Sequence, residues 1–107
     1  MPDNQEPTAT QELVGDMAPG LGAFTDDVLF GDVWRRDGLS PRDRSLITIA
    51  TSIADGSTDP LSAHLGTGQS NGLTQDEIGE VITHLAFDAG WPRAMSAVTV
   101  ARTHVGV

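Results

Sequence analysis

The stretch LTQDEIGEVITHLAFDAGWPRAM, residues 73–95, decides the fold. Thr74 is followed three residues later by Glu77, the pattern in which two side chains reciprocally take up backbone N–H groups of a first helical turn. Leu73 precedes this cap and Ile78 follows it, a pair suited to staple the chain where it enters the helix. Ile78, Val81, Ile82, Leu85 and Ala89 recur at spacings of three and four, so they form one apolar stripe. Gly90 ends the helix, and Pro92 opens another that carries Ala94, Met95, Val98 and Ala101.

The same punctuation extends outward. Ser40 as N-cap, Pro41 at the first helical position, Asp43 in the first turn and Gly56 beyond the end delimit a helix with Leu46, Ile49, Ala50 and Ile53 on one face. A further helix runs from Asp59–Pro60 to Asn71–Gly72, with Leu61, His64, Leu65 and Gly68 along one side. A weaker helix, carrying Gly20 and Gly22, covers Pro19 to Phe30, and the loop GDVWRRDG follows at 31–38. Valine and threonine in SAVTVART, 96–103, would suit a strand, but the Pro92 start and the alanines favour helix. No segment combines a strand pattern with hairpin turns. The expected architecture is therefore all-α: a small bundle of about five to six helices, antiparallel neighbours through short connections. Residues 1–15, polar at first and carrying two prolines, are expected to be a disordered N-terminal arm, and residues 16–107 a single helical domain.

Composition narrows the function. Six Lys plus Arg stand against 15 Asp plus Glu, a formal net charge of −9, which argues against nucleic acid and anionic membrane as partners. The same field repels anionic small molecules, so an acidic ligand needs a local cation. With no cysteine, disulfides, thiolate metal sites and thiol redox chemistry are excluded. No run of 18 apolar residues and no basic-then-apolar leader is present, so a cytoplasmic location is expected.

Chemistry centres on a few side chains. His84 and Asp88 are four residues apart, about 40° apart on the helix wheel and beside the Val81 edge of the stripe. Spacing alone leaves open a surface pair worth about 0.3–0.5 kcal/mol, a satisfied core pair, or an imidazole oriented for proton transfer. His64 has Gly68 one turn on, a glycine that leaves room for a ligand or a backbone; a buried histidine bonded to a carbonyl is the plainer alternative. Arg44 lies where the helix dipole does not favour a cation, so it is either a surface ion pair or a clamp for a carboxylate. Trp34 and Trp91 each sit beside a glycine-marked corner, as packing or as walls of a pocket. His104 receives no role. His64, His84 and Asp88 or Asp32 lack a ligand-like spacing, and no metal is expected.

Taken in order, LFGDVWRRDGLSPRDRSLITIA (29–50), the lone His64, NGLTQDEIGEVITHLAF (71–87) and AGWPRAMSAV (89–98) closely resemble the carboxymuconolactone decarboxylase family, over about Pro19 to Arg102. The resemblance implies the all-helical fold shared with alkylhydroperoxidase-like proteins, assembled as a homotrimeric or homohexameric ring with sites near subunit contacts. It also implies cofactor-free decarboxylation, or a related lyase or isomerase reaction, on a small carboxylate or lactone. His64, His84 and Asp88 are then the expected catalytic residues, and Arg44, Trp34, Asp32 and Trp91 the expected substrate-binding ones. The alkylhydroperoxidase-like branch carries a cysteine pair where this chain has Ser57 and Pro60, so peroxidase chemistry by that route is excluded. Relatives typically carry tyrosine where this chain has Asp88, and bulkier helix formers where it has GTGQS, 66–70. These departures point to an altered substrate or reaction, as in specialised metabolism. The alternative is a non-catalytic binding or assembly protein that keeps the ring.

Overall fold

The computed structural model describes residues 9–105, and every element in that span is helical. The helices are α1 (Ala9–Val14), α2 (Pro19–Ala23), α3 (Pro41–Asp55), α4 (Thr58–Ser70), α5 (Gln75–Ala89) and α6 (Trp91–Val105). Between α2 and α3 lie a π-helical segment, Phe24–Phe30, and a 3₁₀ turn, Val33–Arg35. The chain forms two compact units, one ending at Gly38 and one beginning at Leu39. Of the expected arm, residues 1–8 lie outside the described residues, while Ala9–Val14 is helical.

In the first unit, the expected helix over Pro19 to Phe30 starts as α-helix and widens to π winding at Phe24. Two glycines lower the local helix propensity, and Thr25 Oγ1 donates to Leu21 O at 2.8 Å, a back-bond that loosens a helix. Gly22 is buried, with Val14 Cγ2 3.4 Å from where its Cβ would stand.

The second unit is built on strong local signals. Ser40 Oγ accepts from Asp43 N at 3.1 Å and Pro41 occupies the first turn of α3. Gly56 closes α3 in the left-handed region at φ 74°, a conformation that glycine adopts without Cβ strain. At α5, Glu77 N donates to Thr74 Oγ1 at 3.1 Å and Thr74 N donates to Glu77 Oε1 at 2.9 Å, completing the reciprocal cap.

Ile49, Ile53, Leu61, Leu65, Leu73, Ile78, Ile82, Ala94 and Ala97 form the core. Each fully buried Ile or Leu contributes roughly 1.5–3 kcal/mol relative to leaving it in water. Helix α3 packs on α4 and α5, and α6 packs on the same two, with a lighter α3–α6 contact between. Helices α4 and α5 thus stand at opposite corners. Polar ties lock the register. Arg42 pairs with Glu77, joining the starts of α3 and α5, and Asn71 Nδ2 donates to buried Ser45 Oγ at 3.0 Å, joining the end of α4 to α3.

Candidate active site

Helix phase decides where the candidate side chains face. On α4, Gly66 and Gln69 point to α6: Gln69 Oε1 lies 2.8 Å from His104 Nε2, and the His104 ring covers Gly66. His64 is about 160° from Gly66 and about 140° from Gln69 on the wheel, so it occupies the other flank of α4, toward α3. It is half-buried there. On α3, Leu46 and Ala50 line a groove shared with α5. Arg44 is about 160° from Leu46 and about 120° from Ala50, which turns it to the α4 side, also half-buried. His64 and Arg44 therefore share one flank of α3, about 12 Å apart along the axis in the register that Asn71 and Ser45 set.

His84 lies on the other flank. It lines the α3–α5 groove, about 390 Å³, with Leu46, Ala50, Val81, Leu85 and Glu80. Its Nε2 is 3.1 Å from Asp88 Oδ2, so the expected pair forms. The two side chains are 76% and 64% exposed, which excludes a satisfied core pair. In a single chain, α3 thus stands between His64–Arg44 and His84–Asp88.

Glu80 is a neighbour that spacing pointed to and the sequence reading passed over. It sits four residues before His84 as Asp88 sits four after, so the imidazole has a carboxylate one turn away on either side. No group of three or more acidic or histidine side chains suited to a metal ion exists among the described residues.

The room expected at Gly68 is already filled. A Cβ there would stand 2.9 Å from both Ile49 Cδ1 and Leu73 Cδ1, so core methyls occupy the space that glycine vacates, and no ligand fits. His104 is likewise a packing residue, seated where Gly66 makes space.

The remaining expected residues make local pairs. Trp91, 60% exposed at the start of α6, meets Phe87 edge-on with ring centroids 5.6 Å apart. In the first unit, Asp32 pairs with Arg36 at 2.9 Å, and that hydrogen bond, reinforced by the guanidinium charge, holds the Asp32 carboxyl below its usual range. Trp34 lies against Phe30 with centroids 6.2 Å apart.

The described residues thus define an all-α protein with an imidazole–carboxylate pair on α5. The sequence model of the carboxymuconolactone decarboxylase family matches residues 19–103, across both units. The chain belongs to the carboxymuconolactone decarboxylase family. It is 38% identical over 90 residues to the 4-carboxymuconolactone decarboxylase of Acinetobacter baylyi, covering 84% of this chain and 67% of that protein. It is 34% identical over 82 residues to the nitrosuccinic acid decarboxylase npaB of Metarhizium robertsii, covering 77% of this chain and 57% of that one. The chain thus spans about two thirds of the first relative and little more than half of the second. Both relatives are named as decarboxylases, enzymes that break a carbon–carbon bond.

Proposed function

We propose that this chain is a cofactor-independent decarboxylase of a small carboxylic acid or lactone acid, with His84 moving the proton. The observation that carries the reading is the 3.1 Å contact of His84 Nε2 with Asp88 at the mouth of the α3–α5 groove. Asp88 accepts from Nε2–H and orients the ring, which leaves Nδ1 to hand on a proton. The acids in the two relatives' names share one feature: a lactone or nitro group able to delocalise the electron pair left on carbon when CO2 departs. The substrate class proposed here has the same feature. The C–C bond breaks, its electrons stay on the substrate, CO2 leaves, and the imidazolium returns a proton to carbon. Asp88 in the place of a phenol, with Glu80 on the other side, favours a substrate different from carboxymuconolactone, in keeping with a specialised pathway.

The reaction also needs an anion clamp, and Arg44 is the residue suited to it. Because α3 separates Arg44 and His64 from His84 in one chain, the complete site is formed between copies in a homotrimer or homohexamer, with Arg44 and His64 of one copy facing His84 and Asp88 of the next. Self-association is favoured by the apolar side chains left in water: Phe87 at 79%, Trp91 at 60% and Met95 at 58% exposure lie around the α5–α6 corner beside Asp88. No described helix is long and apolar enough to cross a membrane, and the reading places the protein in the cytoplasm.

The test measures CO2 release from 4-carboxymuconolactone, nitrosuccinic acid and a panel of lactone and β-keto acids. His84→Gln lowers the rate at least about 100-fold, with the circular dichroism spectrum and thermal midpoint unchanged. Mixing inactive Arg44→Met and His84→Gln proteins and letting subunits exchange restores part of the activity, because some interfaces then carry both intact residues. Full activity in His84→Gln removes His84 from the chemistry, and no recovery on mixing places the site within one chain. A second reading, a binding or assembly protein without turnover, is favoured by the separation of the two half-sites on opposite flanks of α3; it prevails if no acid in the panel releases CO2.

A further inference from the structure

A second groove of about 390 Å³ runs on the opposite side of α5, between α5 and α6. Its floor is apolar, made by Ile78, Ile82, Val98 and Ala101. Gly79 opens it: a Cβ built there meets nothing within 4 Å, so the glycine leaves unfilled width along the α5 side. The rim carries Arg102, Gln75 and Thr83. Thr83 Oγ1 already donates to Gly79 O at 2.9 Å, so the donors left at the rim are the guanidinium and the Gln75 amide.

Charge distinguishes this lining. The chain has 15 acidic and six basic residues, yet among the described residues the only charged group on the groove is an arginine. Among the described residues, Arg102 has no carboxylate within ion-pair distance. The α3–α5 groove, by contrast, has Glu80 and His84 on its lining and no arginine or lysine among the described residues. In a protein whose overall field repels anions, a cation beside an apolar trough selects a molecule that is apolar at one end and anionic at the other. A guanidinium binds a carboxylate with two parallel hydrogen bonds, and the volume lies in the lower part of the range of small-molecule sites.

We propose that the α5–α6 groove is a binding site for a small monocarboxylate with a compact apolar body, separate from the residues assigned to proton transfer. The apolar body lies on Ile78, Ile82 and Val98 over Gly79, and the carboxylate accepts hydrogen bonds from Arg102 and the Gln75 amide. The probe is 3-phenylpropanoate, with 3-phenylpropanamide as its neutral counterpart, titrated into the full chain and followed by backbone amide NMR shifts. The expected result is saturable shifts confined to α5 and α6 residues around the groove, with binding at least about tenfold weaker for the amide. Arg102→Met, which keeps the stem and removes the charge, weakens acid binding by a similar factor and leaves the amide's unchanged. Gly79→Leu fills the trough and abolishes both. Equal affinity for acid and amide, unchanged acid binding in Arg102→Met, shifts centred on the α3–α5 groove, or no saturable shift up to the probe's solubility overturns the site. So does a change in assembly mass by light scattering in Arg102→Met, since that outcome makes the groove a contact between copies.

Discussion

Helices α4 and α5 occupy opposite corners of the same packing, and each carries one histidine on its α3 side. They are made by different means. Helix α5 is specified from its own start: Thr74 and Glu77 satisfy each other's backbone partners and the stripe from Ile78 to Ala89 follows in phase. Helix α4 has no side-chain cap, and its second half holds Gly66 and Gly68, each of which admits a side chain from elsewhere. One helix presents its histidine, in a pair with Asp88, on a surface its local sequence defines. The other is shaped by what its neighbours insert.

The largest expected effect tests the neighbour-filled side of that contrast. Gly68→Val drives methyls into Ile49 and Leu73, and overpacking of this kind costs about 1–3 kcal/mol, partly offset by relief of glycine's poor helix propensity. With about 4–8 °C of midpoint per kcal/mol for a domain of this size, thermal denaturation shows a clear drop. An unchanged or raised midpoint would mean that the glycine is spare volume after all.

Thr74→Ala tests the locally specified side. It removes the hydroxyl that accepts from Glu77 N, and loss of an N-cap costs about 1 kcal/mol. Chemical denaturation should report that loss with an unchanged m-value, and a cost near zero would move the origin of α5 from its cap to its packing.

The smallest effect is in pH. The Glu77 carboxyl is held below its ordinary 4.5, first by the Thr74 backbone N–H, with Arg42 adding to it, against an opposing cost of desolvation. Because the folded value is depressed, the contribution is present above pH 4.5 and is lost as pH falls from there through the lower folded value. Stability measured against pH should fall less steeply below pH 4.5 in Glu77→Gln than in the parent. Identical slopes would show that the carboxyl is not coupled to folding.

Much of this was legible in the residues. The caps at Ser40 and Thr74, the stops at Gly56 and Gly90, and the apolar stripes are local or periodic signals, and each appears in the structure because the hydrogen bonds involved are completed within a few residues. The His84–Asp88 contact was legible for the same reason, since a four-residue spacing on a helix is itself a distance. Glu80 was equally within reach by that rule. The widening to π winding at Phe24 was less so, because propensity lowers confidence in a helix without specifying its pitch.

The sequence by itself determined that this is an all-helical, cysteine-free, strongly acidic chain of one decarboxylase family, with an imidazole and a carboxylate stacked on α5. Only the tertiary structure decided that the space at Gly66 and Gly68 belongs to His104, Ile49 and Leu73, and that α3 stands between the two histidine-bearing flanks. The physical reason is one of range. Turn chemistry and helical periodicity act over a few residues, whereas which side chain fills a gap and which flank faces which neighbour depend on close packing between helices far apart in the chain.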